Sequence, residues 1–296
     1  MSAERRLRIA IQKKGRLADA SLKLLKEAGY RAVQGKNELL FRVENAPIDL
    51  MRVRDDDIPG FVADGVCELG IVGENVLAEA YPDVSTEDQP EILEPLGFGK
   101  CKLMIALPEA AGFDGPESLS GMRIATSYPN LTRRYLRDKG VEATPVIMHG
   151  AVEVAPRLKM AQAICDLVST GSTLEANNLK AVDLVFQSQA VLARTPKPFD
   201  PAIRQTAQNV ITRIQGVVAT QGTKYIVMNA PRDALEKIAE ILPGADAPTV
   251  LPLAGAGDKV AVHAVCRESV FWETLEKLKK AGASAILVLP IEKMML

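Results

Sequence analysis

The chain has 296 residues, 47% hydrophobic and 25% charged, which is ordinary globular composition and enough length for more than one core. With 36 Lys and Arg against 37 Asp and Glu, the net charge of -1 excludes a global field for nucleic acid or anionic membrane, so any anion site must be a local cluster. No apolar run reaches membrane-span length, the start lacks a signal-peptide core, and four scattered cysteines with only two histidines, His149 and His263, point to a reduced cytoplasmic protein without a disulfide frame or histidine metal site.

Leu7 to Gln12 reads as a short strand, Lys13 to Arg16 as a basic glycine loop, and Leu17 to Ala28 as a helix with Leu17, Leu24, Leu25 and Ala28 on one side. In a parallel sheet that loop sits at the carboxyl edge, where ligands collect, although alone it reads equally as a solvated charge run. Ile48 to Arg54 is the second strand, with Arg52 and Arg54 on one face. Two adjacent guanidiniums need an anion or carboxylates between them, so an internal Arg–Asp network and a substrate site are both open readings. One of Asp55, Asp56 and Asp57 is expected to cap a helix starting near Pro59. Glu68 to Val72 is the third strand, and Gly73-Glu74-Asn75-Val76 opens a helix at the same edge.

After a polar stretch, Pro82 to Pro90, the pattern restarts near Glu94 to Gly99. Strands are expected at Lys102–Leu107, Arg123–Ser127, Thr144–Met148 and Ala163–Val168, with helices at Asn130–Asp138 and about Ala151–Ala161. This is a second β-α-β lobe. His149 reads as a loop histidine bonded to backbone. Ala163–Val168 then turns through Ser169, Thr170, Gly171, Ser172 and Thr173 into a helical pattern, Leu174 to Leu179. Strand, hydroxyl-rich glycine turn and helix start form a geometry that holds an anion. No Gly-Lys-Ser/Thr follows, so it is not a Walker loop, and the plain alternative is a helix start capped by Ser172 or Thr173. After Val182 to Gln187, a strand at Ala190–Arg194 should return the chain to the first lobe, followed by a helix over Ala202–Gln221.

The last segment reads as strand Lys224–Asn229, helix Arg232–Leu242 stopped by Pro243-Gly244, strand Thr249–Leu253, a turn over Ala254 to Asp258, strand Lys259–Cys266, helix Glu268–Ala281 and strand Ala283–Pro290. The order βαββαβ is that of a ferredoxin-like unit, and without an obvious catalytic group it reads as an oligomerisation or effector-binding module.

Glu153, Ile164-Cys165-Asp166-Leu167 and Thr170-Gly171-Ser172-Thr173-Leu174 together resemble the signature of ATP phosphoribosyltransferase, the first enzyme of histidine biosynthesis. Lys159 stands where that pattern has a glycine, so Lys159 is expected to point outward. Leu7 to Leu17, Arg52 to Gly60, Ala125 to Pro129 and Leu289 to Lys293 are similar to the family's long form, so the resemblance covers essentially the whole chain. It implies an α/β fold with a bilobal periplasmic-binding-protein-like catalytic core and a C-terminal ferredoxin-like (βαββαβ) regulatory domain. Lobe I would comprise residues 1–95 plus 188–222, lobe II residues 96–187, and the regulatory domain residues 223–296.

The implied reaction joins N1 of the ATP adenine to C1 of phosphoribosyl pyrophosphate (PRPP). It gives N1-(5-phosphoribosyl)-ATP and pyrophosphate, with Mg2+ as cofactor and L-histidine as feedback inhibitor. An oxocarbenium-like transition state asks for placement and charge handling more than for a nucleophile. By resemblance Asp166, Arg16 and Lys13 carry catalysis, and Asp166, Ser169, Thr170, Gly171, Ser172 and Thr173 hold PRPP. Lys13, Gly15, Arg16, Arg52, Glu74 and Tyr128 take ATP or pyrophosphate, Tyr128 as a platform for adenine or ribose. The effector falls near Asn229, Thr249 and Leu251. No protein metal-ligand set is expected; Mg2+ would use mostly substrate and water oxygens. The partners implied are ATP, PRPP, histidine and further copies of the chain, as dimers within a homohexamer, without nucleic acid or membrane. A non-catalytic metabolite sensor on the same scaffold, or a transferase with another acceptor, are the rival readings.

Overall fold

The computed structural model describes residues 5–34, 39–82, 87–242, 248–254, 257–267 and 271–294. Two compact units divide the chain, residues 1–210 and 211–296, the boundary falling inside a helix.

The first unit begins with β1 (Leu7–Gln12), α1 (Arg16–Glu27), β2 (Ala32–Gln34), β3 (Leu40–Val43), β4 (Ile48–Val53), α2 (Ile58–Ala63), β5 (Leu69–Gly73), α3 (Glu74–Ala80) and β6 (Glu91–Pro95). It continues through β7 (Cys101–Pro108), β8 (Arg123–Thr126), α4 (Pro129–Lys139), β9 (Thr144–Ile147), β10 (Ala163–Val168), α5 (Ser172–Ala176), β11 (Leu179–Ser188), β12 (Ala190–Arg194) and α6 (Pro201–Val218). These strands form two sheets, ordered β2-β3-β4-β1-β5-β12-β6 and β11-β7-β10-β8-β9. They are lobes I and II.

In lobe I, β1 lies parallel to both β4 and β5, and β12 fits antiparallel between β5 and β6. Leu7, Ile9, Ala10, Ile11, Leu69, Ile71 and Val72 are fully buried, as expected where helices cover both faces of a parallel sheet. In lobe II, β10 runs parallel to β8 and antiparallel to β7, over a core that includes Leu103, Ile105, Ile124, Leu131 and Tyr135. The chain crosses between lobes after β6 and again before β12. The crossings bond to each other, Leu96 N–H to the Ala190 carbonyl and Ala190 N–H to the Phe98 carbonyl, both at 2.9 Å.

The second unit holds β13 (Thr223–Pro231), α7 (Leu235–Ile241), β14 (Thr249–Pro252), β15 (Lys259–Arg267), α8 (Phe271–Lys280) and β16 (Ser284–Pro290). Its antiparallel sheet is ordered β14-β15-β13-β16, the ferredoxin-like arrangement. Ile226, Met228, Val260 and Val262 face Ile238, Leu242 and Leu278 in its core. Tyr225, Leu251, Leu287 and Leu289 are exposed. Near the end of the chain Met294 N–H bonds to the Gly216 carbonyl, and a Cβ at Gly216 would lie 2.8 Å from the Met294 carbonyl oxygen, too close to be tolerated.

Several local expectations change. The helix expected over Ala151–Ala161 is only a 3-10 turn, Val152–Val154, followed by turns. Ala151 and Lys159 take left-handed φ of 50° and 57°, and Pro156 lacks an N–H, so no helix can propagate between them. The helical pattern from Leu174 stops at Ala176 because Asn178 turns left-handed, φ 52°, and feeds β11. The triple aspartate does not cap by side chain. Asp55–Asp57 is a 3-10 turn, and Asp57 at the start of α2 makes no capping bond. Strands β2 and β3 had no clear sequence signal, being short and largely exposed. Pro243-Gly244, part of the turn before Asp258 and the start of the Glu268 helix lie outside the described residues.

Candidate functional site

Three adjacent strands of lobe I, in the order β4-β1-β5, end on the same edge. After β1 the chain enters Lys13 to Arg16, and Gly15 takes φ 97° to start α1, a backbone that a side chain would strain. Lys14, Gly15 and Arg16 are exposed and Lys13 is half-buried. Lys13 N–H bonds to the Val53 carbonyl at 2.7 Å, tying the loop to the end of β4. Arg52 donates from its guanidinium to the Lys13 carbonyl and stacks 4.7 Å from the Phe41 ring centroid. Its buried Nε has no acceptor among the described residues. A guanidinium with an unused buried donor beside a cationic loop is a poor end state in isolation and a good one next to an anion. Glu74 opens α3 at the end of β5, its N–H bonded to the Gln189 carbonyl.

On lobe II the corresponding edge carries the ends of β8 and β10. Asp166 is half-buried, and its Oδ1 accepts the Leu167 N–H at 2.7 Å. Burial lifts the Asp166 carboxyl above the ordinary carboxylate range. The Leu167 N–H opposes that rise and the nearby Glu153 charge adds to it. The adjoining loop then turns at Gly171, φ 84°, which begins α5 without any side-chain cap. Ser172 and Thr173 are therefore not spent as caps. Ser169, Thr170, Ser172 and Thr173 are exposed, and the Thr170 and Ser172 hydroxyls lie 3.1 Å apart. Lys159 is exposed as expected, and its left-handed φ gives the reason a glycine suits that position.

The two edges meet at Tyr128, which follows β8. Burial raises its phenol pKa most. The charges of Asp55 and Asp56 from lobe I and Asp166 from lobe II raise it further, against a hydrogen bond from Asn75. Asp56 is itself raised by burial and by Asp55 and Asp57, while Arg54 and, from lobe II, His149 lower it. Sequence reasoning missed Asn75 and Glu79, which bind lobe II from α3. Asn75 Nδ2 donates to the Tyr128 hydroxyl at 3.0 Å, and Glu79 accepts the N–H groups of Asn130 and Leu131 at 2.8 and 2.9 Å. Their spacing of four, which aligns both on one helix face, was the available signal.

Asn229, Thr249 and Leu251 all lie on the face of the second unit's sheet turned away from α7 and α8. Leu251 pairs with Ala261, which pairs with Asn229, and Thr249 pairs with His263, whose Nδ1 lies 2.9 Å from the Tyr225 hydroxyl. Among the described residues no cluster of three or more His, Cys, Asp or Glu is arranged to hold a metal ion, and no helix is long and apolar enough to cross a membrane. All four cysteines are free.

The sequence matches the HisG family, ATP phosphoribosyltransferase, over residues 54–216, and the HisG C-terminal domain over residues 220–293. An ATP phosphoribosyltransferase of Maricaulis maris (strain MCS10) is 54% identical over 290 residues, 98% of this chain and 99% of that protein. Among solved structures, the ATP phosphoribosyl transferase (HisG:HisZ) complex from Thermotoga maritima aligns with TM-score 0.58 and 27% identity, over 72% of this chain and 98% of that one.

Proposed function

The chain belongs to the ATP phosphoribosyltransferase family, and from that premise we propose that its two lobes join adenine N1 of ATP to C1 of PRPP with release of pyrophosphate, while its last unit binds histidine as inhibitor. It is the phosphoribosyltransferase that opens histidine biosynthesis. The observation that carries the site assignment is the exposed hydroxyl loop Ser169–Thr173 after β10, uncapped and next to a half-buried Asp166.

The loop hydroxyls and backbone receive the 5-phosphate, and Asp166 accepts from the ribose hydroxyls. Across Tyr128, Lys13, Arg16 and Arg52 meet the phosphates of ATP or the departing pyrophosphate, and Gly15 lets that backbone close in. Glu74, at the adjoining strand end, lies on the same sheet edge as the Lys13 to Arg16 loop. Burial pushes the Tyr128 phenol still further from ionisation, and the residue offers its ring to adenine or ribose. Charge builds on C1 and on the leaving oxygen, so placement and electrostatics lower the barrier. Mg2+, when bound, neutralises the leaving pyrophosphate. Mg2+ would be carried mainly by substrate and water oxygens, and Asp166, with Glu153 acting on its charge, would be the loop carboxylate available to it.

Histidine is placed on the open face around Asn229, Thr249 and Leu251. The apolar residues exposed there support assembly of copies as dimers within a hexamer. The C-terminal match supports a long form that works without a separate regulatory subunit, and a role in histidine biosynthesis is consistent with the cytoplasm. The deciding experiment measures turnover of ATP with PRPP and Mg2+ by product absorbance and pyrophosphate release, with and without L-histidine. Histidine-sensitive turnover is expected, and absence of turnover with intact folding would defeat the reading.

A further inference from the structure

The lobes are joined by more than their two crossings. Helix α4 begins at Pro129, which has no N–H, and Tyr128 before it provides no side-chain cap. The next two N–H groups, of Asn130 and Leu131, point to a carboxylate that belongs to the other lobe. Glu79 Oε1 accepts from Asn130 at 2.8 Å and Glu79 Oε2 from Leu131 at 2.9 Å. The Asn130 side-chain amide returns the contact by donating to the Glu79 carbonyl at 3.0 Å.

One turn earlier on α3, Asn75 is buried, and its side-chain donor, side-chain acceptor and backbone N–H are each engaged. Its Nδ2 donates to Tyr128, its Oδ1 accepts from Ser188 Oγ at 2.7 Å, and its N–H donates back to Ser188 Oγ at 3.0 Å. Ser188 ends β11, where the chain leaves lobe II. A single helix of lobe I thus grips the start of α4, the ring between the lobes and the return crossing. The start of a helix at a strand's carboxyl end is also an anion-binding position. Here a resident carboxylate fills it, which leaves substrate phosphates the β10 loop and the basic loop after β1.

From this we propose that Glu79 is a positioning residue for phosphoribosyl transfer. Through α4 and Tyr128 it fixes the angle at which the PRPP edge of lobe II meets the nucleotide edge of lobe I. The proposal rests on the transferase reading above. Both Glu79 carboxylate oxygens are taken by backbone N–H groups of α4. Glu79 acts by holding two bound substrates in line, and misalignment of about 1 Å can cost about a hundredfold in rate.

The test compares wild type, Glu79→Ala and Glu79→Gln in steady-state turnover of ATP and PRPP, with amide exchange at Asn130 and Leu131 followed in each. Glu79→Ala is expected to lower kcat by about ten- to a hundredfold while KM for PRPP stays within about twofold, because the lobe II loop is intact. Glu79→Gln, which keeps one acceptor, should recover part of kcat. Both amides should exchange faster in the Ala variant. A kcat within twofold of wild type in Glu79→Ala, even with a lowered melting midpoint, would reduce Glu79 to a helix cap and overturn the proposal. If the Ala variant does not fold, full kcat in Glu79→Gln overturns it equally. Should wild type itself fail to turn over, the transferase reading fails instead. Unchanged exchange at Asn130 and Leu131 in the Ala variant would then show, independently of turnover, that Glu79 does not hold the start of α4.

Discussion

Asp166 shows how a site residue can work against the fold that carries it. Burial, with help from Glu153, raises its pKa, so the folded chain holds this proton more tightly than the unfolded chain. The stability that follows is fully present below the unfolded pKa of about 3.9 and is lost as pH rises through the folded value. At neutral pH the ionised carboxylate is therefore a net cost. Asp166→Asn should melt higher than wild type at pH 7, with the gain vanishing below about pH 4, while PRPP affinity falls about tenfold or more through loss of a charged acceptor. Thermal melts across pH and a PRPP titration check both halves. Lys159 offers a simpler gain. Its left-handed backbone costs roughly 1–2 kcal/mol, part of which glycine returns through a looser unfolded chain. Lys159→Gly should raise the melting midpoint by about 1–2 °C without changing turnover.

At the scale of elements, the loop between β10 and α5 turns on Gly171, where an added Cβ would meet nothing within 4 Å. Any penalty for a side chain there comes from φ alone. Gly171→Val should lower the melting midpoint by a few degrees through that φ and weaken PRPP about tenfold or more, whereas Thr173→Ala should leave the midpoint nearly unchanged and weaken PRPP less. Unchanged PRPP titrations in both variants would remove the loop from the site. This strand and loop were readable because apolar length and turn chemistry agreed, and Ala163–Val168 and Ala190–Arg194 match the observed strands. Ala151–Ala161 misled because its apolar spacing suits a helix, while left-handed backbone at Ala151 and Lys159 does not. Glu79 was missed for a different reason, since its spacing of four from Asn75 was only a weak signal. A glutamate on a short helix looks like solvated surface until tertiary contacts bring Asn130 and Leu131 to it.

At the scale of the whole molecule, the chain divides into two compact units, and the proposed function assigns chemistry to the first and control to the second. The open sheet face of the second unit is expected to serve assembly and histidine together. Leu251→Glu places a charge in that face, where Leu251 is 48% exposed. Light scattering should report a fall from the proposed six copies of the 31.9 kDa chain toward smaller species, and histidine should inhibit at least tenfold more weakly. A variant that keeps both its mass and its inhibition would place assembly and effector elsewhere. The order of strands in lobe I also has a consequence for how the chain is made. Strand β12 fills the gap between β5 and β6, yet all of lobe II is synthesised before it. Lobe II can condense from contiguous residues as it leaves the ribosome, whereas the apolar β5 must wait with one edge bare until residues 190–194 emerge. That interval exposes a strand edge the finished protein never shows, so translational pauses within lobe II prolong the period when nascent chains can pair with one another.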